Sequence, residues 1–74
     1  MAKLRTNIHA LRKQRGMQQA ELAALVGVRR ETIGHLENGK YNPSLKLALD
    51  IAKVFGQRGE QIFFFEEEDE SPAT

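Results

Sequence analysis

Four glycines, Gly16, Gly27, Gly39 and Gly56, cut this chain into short pieces, and each closes a stretch whose apolar residues recur at helical spacing. Glycine just past a helix end takes the left-handed conformation that stops the helix, without the Cβ clash that another residue meets there. Reading back from each predicts helices over about 7–15, 18–26, 29–37 and 44–55. The first turns Ile8 and Leu11 inward and gathers Arg12, Lys13 and Arg15 at its C-terminal end, where cations suit the helix dipole. The second carries Ala20, Leu22, Ala23, Leu25 and Val26, and the third buries Ile33 and Leu36. The fourth starts after Asn42-Pro43-Ser44, where Asn or Ser can cap and Pro suits a first turn. A fifth, short helix is expected over about 58–62. Phe63, Phe64 and Phe65 follow, an aromatic run that favours a strand; Lys3-Leu4-Arg5 is the other extended candidate, and pairing the two makes a small sheet.

The chain of 74 residues is one domain at most, expected over residues 1–68 with a disordered acidic tail at 69–74. Its 41% hydrophobic content suffices for a small core, and with no cysteine there is neither a disulfide nor a thiolate metal site to hold it. The net charge of +1 hides an asymmetry: all 11 basic residues but only five acids precede Phe63, a body of +6, while Glu66, Glu67, Glu68, Asp69 and Glu70 follow as one block. A basic body suggests a polyanionic partner. The longest apolar run, Ile62 to Phe65, is far short of the roughly 18–20 residues a membrane span needs. The start shows no secretory h-region, which makes the cytoplasm the expected compartment. Two histidines, two aspartates, no phosphate loop and no paired metal-ligand spacing argue against an enzyme, and no cofactor, metal or small-molecule ligand is expected.

Residues 18–39 carry the most specific signal. Two short helices are separated by about three residues, with Gly27 at the turn, small Ala23 where a second helix crosses closely, and Val28 plugging the corner. This is a helix-turn-helix pattern, whose second helix fits a DNA major groove about 12 Å wide. The outward positions of helix 29–37 are Arg29, Arg30, Glu31, Gly34 and His35. Arg30 is able to donate two hydrogen bonds to guanine, each such pair giving about 1–3 kcal/mol of discrimination. Glu31 suits cytosine N4 or the orientation of an arginine, and His35 suits a base or a phosphate. Plainer roles stand beside these: a solvated arginine pair, and a carboxylate that supports a helix N-terminus.

The matching residues Ile8-x-x-Leu11-Arg12, Gln19-x-Glu21-Leu22-Ala23, Gly27-Val28, Thr32-Ile33-x-x-Leu36-Glu37-Asn38-Gly39 and Pro43-Ser44-Leu45 with Ala48 and Ile51-Ala52 lie between about residues 7 and 63, over three quarters of the chain. On them the chain resembles the phage repressor and Cro type of helix-turn-helix regulator, also called the xenobiotic-response-element family. That resemblance implies an all-α, five-helix, lambda-repressor-like DNA-binding domain. It implies that Arg29, Arg30, Glu31 and His35 read bases, that Gln19, Thr32 and Asn38 bind phosphates, and that Lys40 and Tyr41 skirt the DNA backbone. Gln18, at the start of the second helix, is taken with this DNA-facing set. The resemblance further implies a partly buried ion pair between Arg12 and Glu37. The chain departs from the family where Gln18 and Arg29 replace the usual capping residues, at about 1 kcal/mol each. Gly34 inside the recognition helix costs roughly another 1 kcal/mol.

Helix 44–55 is apolar over too wide an arc. Leu45, Ala48, Leu49, Ala52 and Phe55 fall within about 120° and form an ordinary core face. Leu47, Ile51 and Val54 fall on a second arc about 180–240° from Leu45, which either the fifth helix or a second subunit covers. The expectation is a dimer interface of Leu47, Ile51, Val54, Ile62, Phe63, Phe64 and Phe65. One recognition helix reads too few base pairs to select a genomic site, and two copies about a twofold axis read half-sites about 34 Å apart. The expected function is a homodimeric, sequence-specific repressor of double-stranded DNA. The alternative is a protein-interaction module such as an antitoxin or a partner-dependent regulator.

Overall fold

The computed structural model describes residues 2–67, so the expected tail at 69–74 lies outside the described residues. The order of elements is β1 (Ala2–Thr6), α1 (Ile8–Gln14), α2 (Gln19–Val26), α3 (Arg30–Glu37), α4 (Leu45–Phe55), α5 (Gly59–Ile62) and β2 (Phe63–Glu67). Each helix lies within a residue of its expected span. At the corner between α2 and α3, Gly27 has φ 75°, and the N–H groups of Gly27 and Val28 both reach the Ala23 carbonyl. Those bonds both satisfy the Ala23 carbonyl at the helix end and turn the chain toward α3. At the start of α4 the Ser44 hydroxyl accepts from the Leu47 N–H at 3.1 Å. At the start of α2 the missing Ser or Thr is partly replaced, because the Glu21 carboxylate accepts from the Gln18 N–H at 2.9 Å.

The core gathers Ile8, Leu22, Ala23, Ile33, Leu36, Leu47, Ile51, Ala52, Phe55 and Ile62, so every helix gives at least one fully buried side chain. Leu11, Met17, Val26, Val28, Val54 and Phe63 pack around it. Arg15 closes the far end: its guanidinium donates to the Val54 and Phe55 carbonyls and stacks 5.2 Å from the Phe55 ring centre. Carbonyls at the end of α4 thereby gain charged donors.

The two ends of the described chain meet. β1 and β2 pair antiparallel with Leu4 opposite Phe65, Arg5 opposite Phe64 and Thr6 opposite Phe63. The Asn7 N–H donates to the Ile62 carbonyl and the Asn7 amide to the Gln61 carbonyl, both at 2.9 Å. The pairing is longer than expected and takes in Glu66 and Glu67, so the acidic block begins inside the sheet; the Arg5 guanidinium holds Glu66 at 2.7 Å. A two-stranded sheet is marginal alone, and this one is anchored through Phe63 on the core.

One expectation is overturned on α4. Leu47, Ile51 and Ile62, expected at a dimer interface, are intrachain core, with Ile51 and Ile62 wholly buried and Val54 packed against them. Leu45 and Leu49, expected in the core, are 75% and 54% exposed. The physical reason is that α4 is apolar over more than half its circumference. Leu47, Ile51 and Phe55, four residues apart in turn, point at α2 and α5, which leaves the Leu45–Leu49 edge in solvent.

Candidate nucleic-acid interface

The site is built on α3, which is held by its inner face. Ile33 and Leu36 are buried, while Arg29, Arg30, Glu31 and His35 are exposed and Thr32 is half-buried. Three bonds close the C-terminal end: Asn38 N–H to the Gly34 carbonyl, Gly39 N–H to that of Leu36, and Lys40 N–H to that of His35. This turn fixes the stretch from Asn38 to Tyr41, all exposed except Gly39, as a continuation of the same outer surface. Arg29 stands at the N-cap with no side-chain capping bond, so the first-turn N–H groups of α3 lack an oxygen partner from that side chain.

Behind the surface lies a chain of polar contacts. The Arg12 guanidinium donates to Glu37 at 2.7 and 3.1 Å and to the Met17 carbonyl at 2.8 Å. Both side chains of the pair are 7% exposed. The Gln19 amide donates to the same Glu37 carboxylate at 3.1 Å, and its oxygen faces the Arg30 guanidinium at 3.5 Å. His9 completes the group, its Nδ1 lying 3.4 Å from Glu37. Burial works against the charge on Glu37, but hydrogen bonds from Arg12 and Gln19, the Arg12 charge and the His9 contact outweigh it and hold the carboxyl below its ordinary value. The bond to Glu37 raises the Arg12 guanidinium against its own desolvation. The pair therefore stays ionised and ties α1 to the end of α3, with Gln19 as the link from this buried pair to an exposed base-reading candidate.

Gln18 and Gln19 open α2 on the same side. A cleft of about 560 Å³ runs between the α1–α2 turn and the start of α3, lined by Arg12, Lys13, Met17, Gln18, Gln19 and Arg30. First-turn N–H groups of α2 and the side chains of Lys13 and Arg30 make this cleft attractive to an anion. Lys13 was not expected here; in the sequence it reads only as a cation suited to the end of α1. Gly34 faces inward to the Gln19 amide, and a Cβ there would stand 3.7 Å away, an ordinary contact. Of the expected interface residues, Phe64 and Phe65 are exposed and Phe63 is half-buried.

Such an arrangement, a braced helix presenting arginines beside a basic cleft at a second helix N-terminus, defines a helix-turn-helix DNA-binding domain. The helix-turn-helix family model matches residues 8–62. A helix-turn-helix-type transcriptional regulator of Archaeoglobus fulgidus is 58% identical over 66 residues, covering 89% of this chain and 94% of its own. One from Bacillus subtilis is 41% identical over the same share of this chain and all of its own. Among solved structures, the P22 c2 repressor bound to a synthetic operator superposes with a TM-score of 0.70 at 28% identity, covering 73% of this chain and 82% of that one. The restriction-modification controller protein C.AhdI from Aeromonas hydrophila gives 0.68 at 31%, covering 74% and 83%. The chain belongs to the helix-turn-helix family of transcriptional regulators, with the lambda-repressor-like fold, and these are DNA-binding proteins rather than enzymes. No helix among the described residues is long and apolar enough to cross a membrane.

Proposed function

We propose that the protein is a cytoplasmic, homodimeric repressor that reads a palindromic operator in double-stranded DNA. The observation that carries this is α3: its inner face is locked by Ile33 and Leu36 while Arg29, Arg30, Glu31 and His35 stand together in solvent. Arg30 is the principal base-reading residue, at the N-terminal end that meets base edges first. Its neighbour Gln19 faces the guanidinium and limits its wandering, which reduces the entropy lost when it binds. Arg29, Glu31 and His35 read or flank the same site. Gln18, Gln19, Thr32 and Asn38 meet phosphates, Gln19 through the free N–H of the first α2 turn, and Lys40 and Tyr41 follow the backbone. Repression follows sterically when the operator overlaps a promoter.

The test is selection of binding sites from random duplex DNA by the pure protein near physiological salt, then titration of the winner against scrambled DNA. A palindrome with half-sites one helical turn apart is the expected result. Uniform, salt-sensitive binding with no enriched sequence would reject specific readout by this chain alone and favour a partner-dependent module.

A further inference from the structure

The first strand crosses the end of the recognition helix. A Cβ built on Gly39, just past α3, would stand 3.5 Å from the Leu4 carbonyl and 3.7 Å from Cε of Lys3. Gly39 has φ 73° and no side chain, and that lets β1 come so close. The stem of Lys3 therefore lies over the turn that joins Asn38 to Lys40, while the residue itself is exposed. A lysine placed so covers backbone with its methylenes and keeps its ammonium in water.

We propose that Lys3 is a further DNA-phosphate contact, carried by the sheet to the same stretch of backbone as Asn38 and Lys40, an inference that rests on the reading of that loop given above. Lys3 and Lys40 flank one glycine from two different elements. The residue directly opposite Lys3 in the sheet is Glu66, the carboxylate placed to neutralise it. Glu66 instead bonds the Arg5 guanidinium at 2.7 Å, two residues along the same face of β1. Lys3 enters none of the ion pairs among the described residues, and neither does Lys40. Two cations left unneutralised around one turn are relieved by an anion that meets both.

Lys3 is also held in place. β2 pairs with β1 along its length, and Asn7 ties the end of the strand to Ile62 and Gln61. An ammonium on a paired strand loses less backbone freedom on binding than one on an unpaired arm. The terminal sheet thereby gains a part in DNA binding. A phosphate contact positions the protein and reads no base, so its effect is the same on every sequence.

The test is the salt dependence of binding. Duplex binding is titrated by fluorescence anisotropy from about 50 to 200 mM salt, on the selected operator and on scrambled DNA. Wild type is compared with Lys3→Met, Lys3→Arg, Lys40→Met and Lys53→Met, each verified as folded by circular dichroism. Lys3→Met keeps the stem over Gly39 and removes only the charge; if it fails to fold, Lys3→Gln carries the same comparison. Lys53, exposed on α4 beside Leu25, controls for the loss of one charge from the whole molecule. In Lys3→Met the slope of log affinity against log salt is expected to shrink by about 0.9 for each chain bound, with affinity down roughly fivefold per chain near 0.15 M salt on both DNAs. Lys3→Arg should restore both, and Lys53→Met should keep the wild-type slope. An unchanged slope in Lys3→Met beside a reduced one in Lys40→Met would overturn the Lys3 contact and leave the reading of the loop standing. Unchanged slopes in both would overturn the two together. An equal loss in Lys53→Met would reduce the effect to net charge and overturn the contact. If no operator is selected, scrambled DNA still decides the matter, because phosphates are common to all sequences.

Discussion

Arg12 and Glu37 are the costliest residues to disturb one at a time. Each is buried against the other, so removing either leaves an uncompensated charge, at about 3–5 kcal/mol, a large share of what so small a domain has. Arg12→Ala and Glu37→Ala are expected to show that loss in urea unfolding. Arg12→Met combined with Glu37→Leu should recover most of it, because a packed apolar pair replaces the ionic one. The same pair sets an acid limit. Glu37 titrates below its ordinary value near 4.5, so its contribution is complete above that pH and is lost as pH falls through the lower folded-state value. Unfolding free energy measured from pH 6 to pH 3 should therefore fall more gently in Glu37→Gln than in wild type. Gly34 behaves oppositely. Its helical backbone and ordinary clearance to Gln19 admit a methyl group, so Gly34→Ala should stabilise by about 1 kcal/mol and raise Tm by roughly 4–8 °C. A fall in operator affinity in that same variant would show that the glycine serves approach to DNA.

Within α4 the exposed and buried leucines give a sharper contrast than any single residue. Leu47→Ala opens a core cavity and should cost about 2–5 kcal/mol, whereas Leu49→Ala on the exposed edge should change monomer stability by less than about 0.5 kcal/mol. Equal costs in thermal unfolding would contradict the burial seen here. This helix also shows where the amino-acid sequence stops being decisive. The glycines located the ends of the first four helices, and the Gly27 corner located α3, because left-handed turns constrain sequence locally. The Arg12–Glu37 pair came through resemblance, since nothing local joins residues 25 positions apart. The face that α4 buries is legible only in part: Ala52 and Phe55 are buried as expected but Leu45 and Leu49 are not, because nearly two thirds of the circumference is apolar and only the neighbouring elements choose the side. Lys13 and the Gln19–Arg30 contact were missed for the same reason: the α1–α2 turn folds them into one cleft, and no periodicity reports that.

At the scale of the whole molecule, a twofold pair converts two weak readings into one specific one, and the phase of the DNA helix becomes a measurable constraint. Arg30→Ala should lower discrimination at one base pair in each half-site by about 1–3 kcal/mol while leaving affinity for scrambled DNA nearly unchanged. Phase tests the dimer itself. If the proposed twofold axis holds the two copies rigidly, the recognition helices face one side of the duplex about 34 Å apart. Inserting about 5 base pairs between the half-sites turns one of them to the opposite side, since a full turn takes about 10–10.5 base pairs. Binding should then fall to that of a single half-site. Equal affinity of wild type for both operators would mean that the copies act independently, and the rigid twofold pair would be rejected.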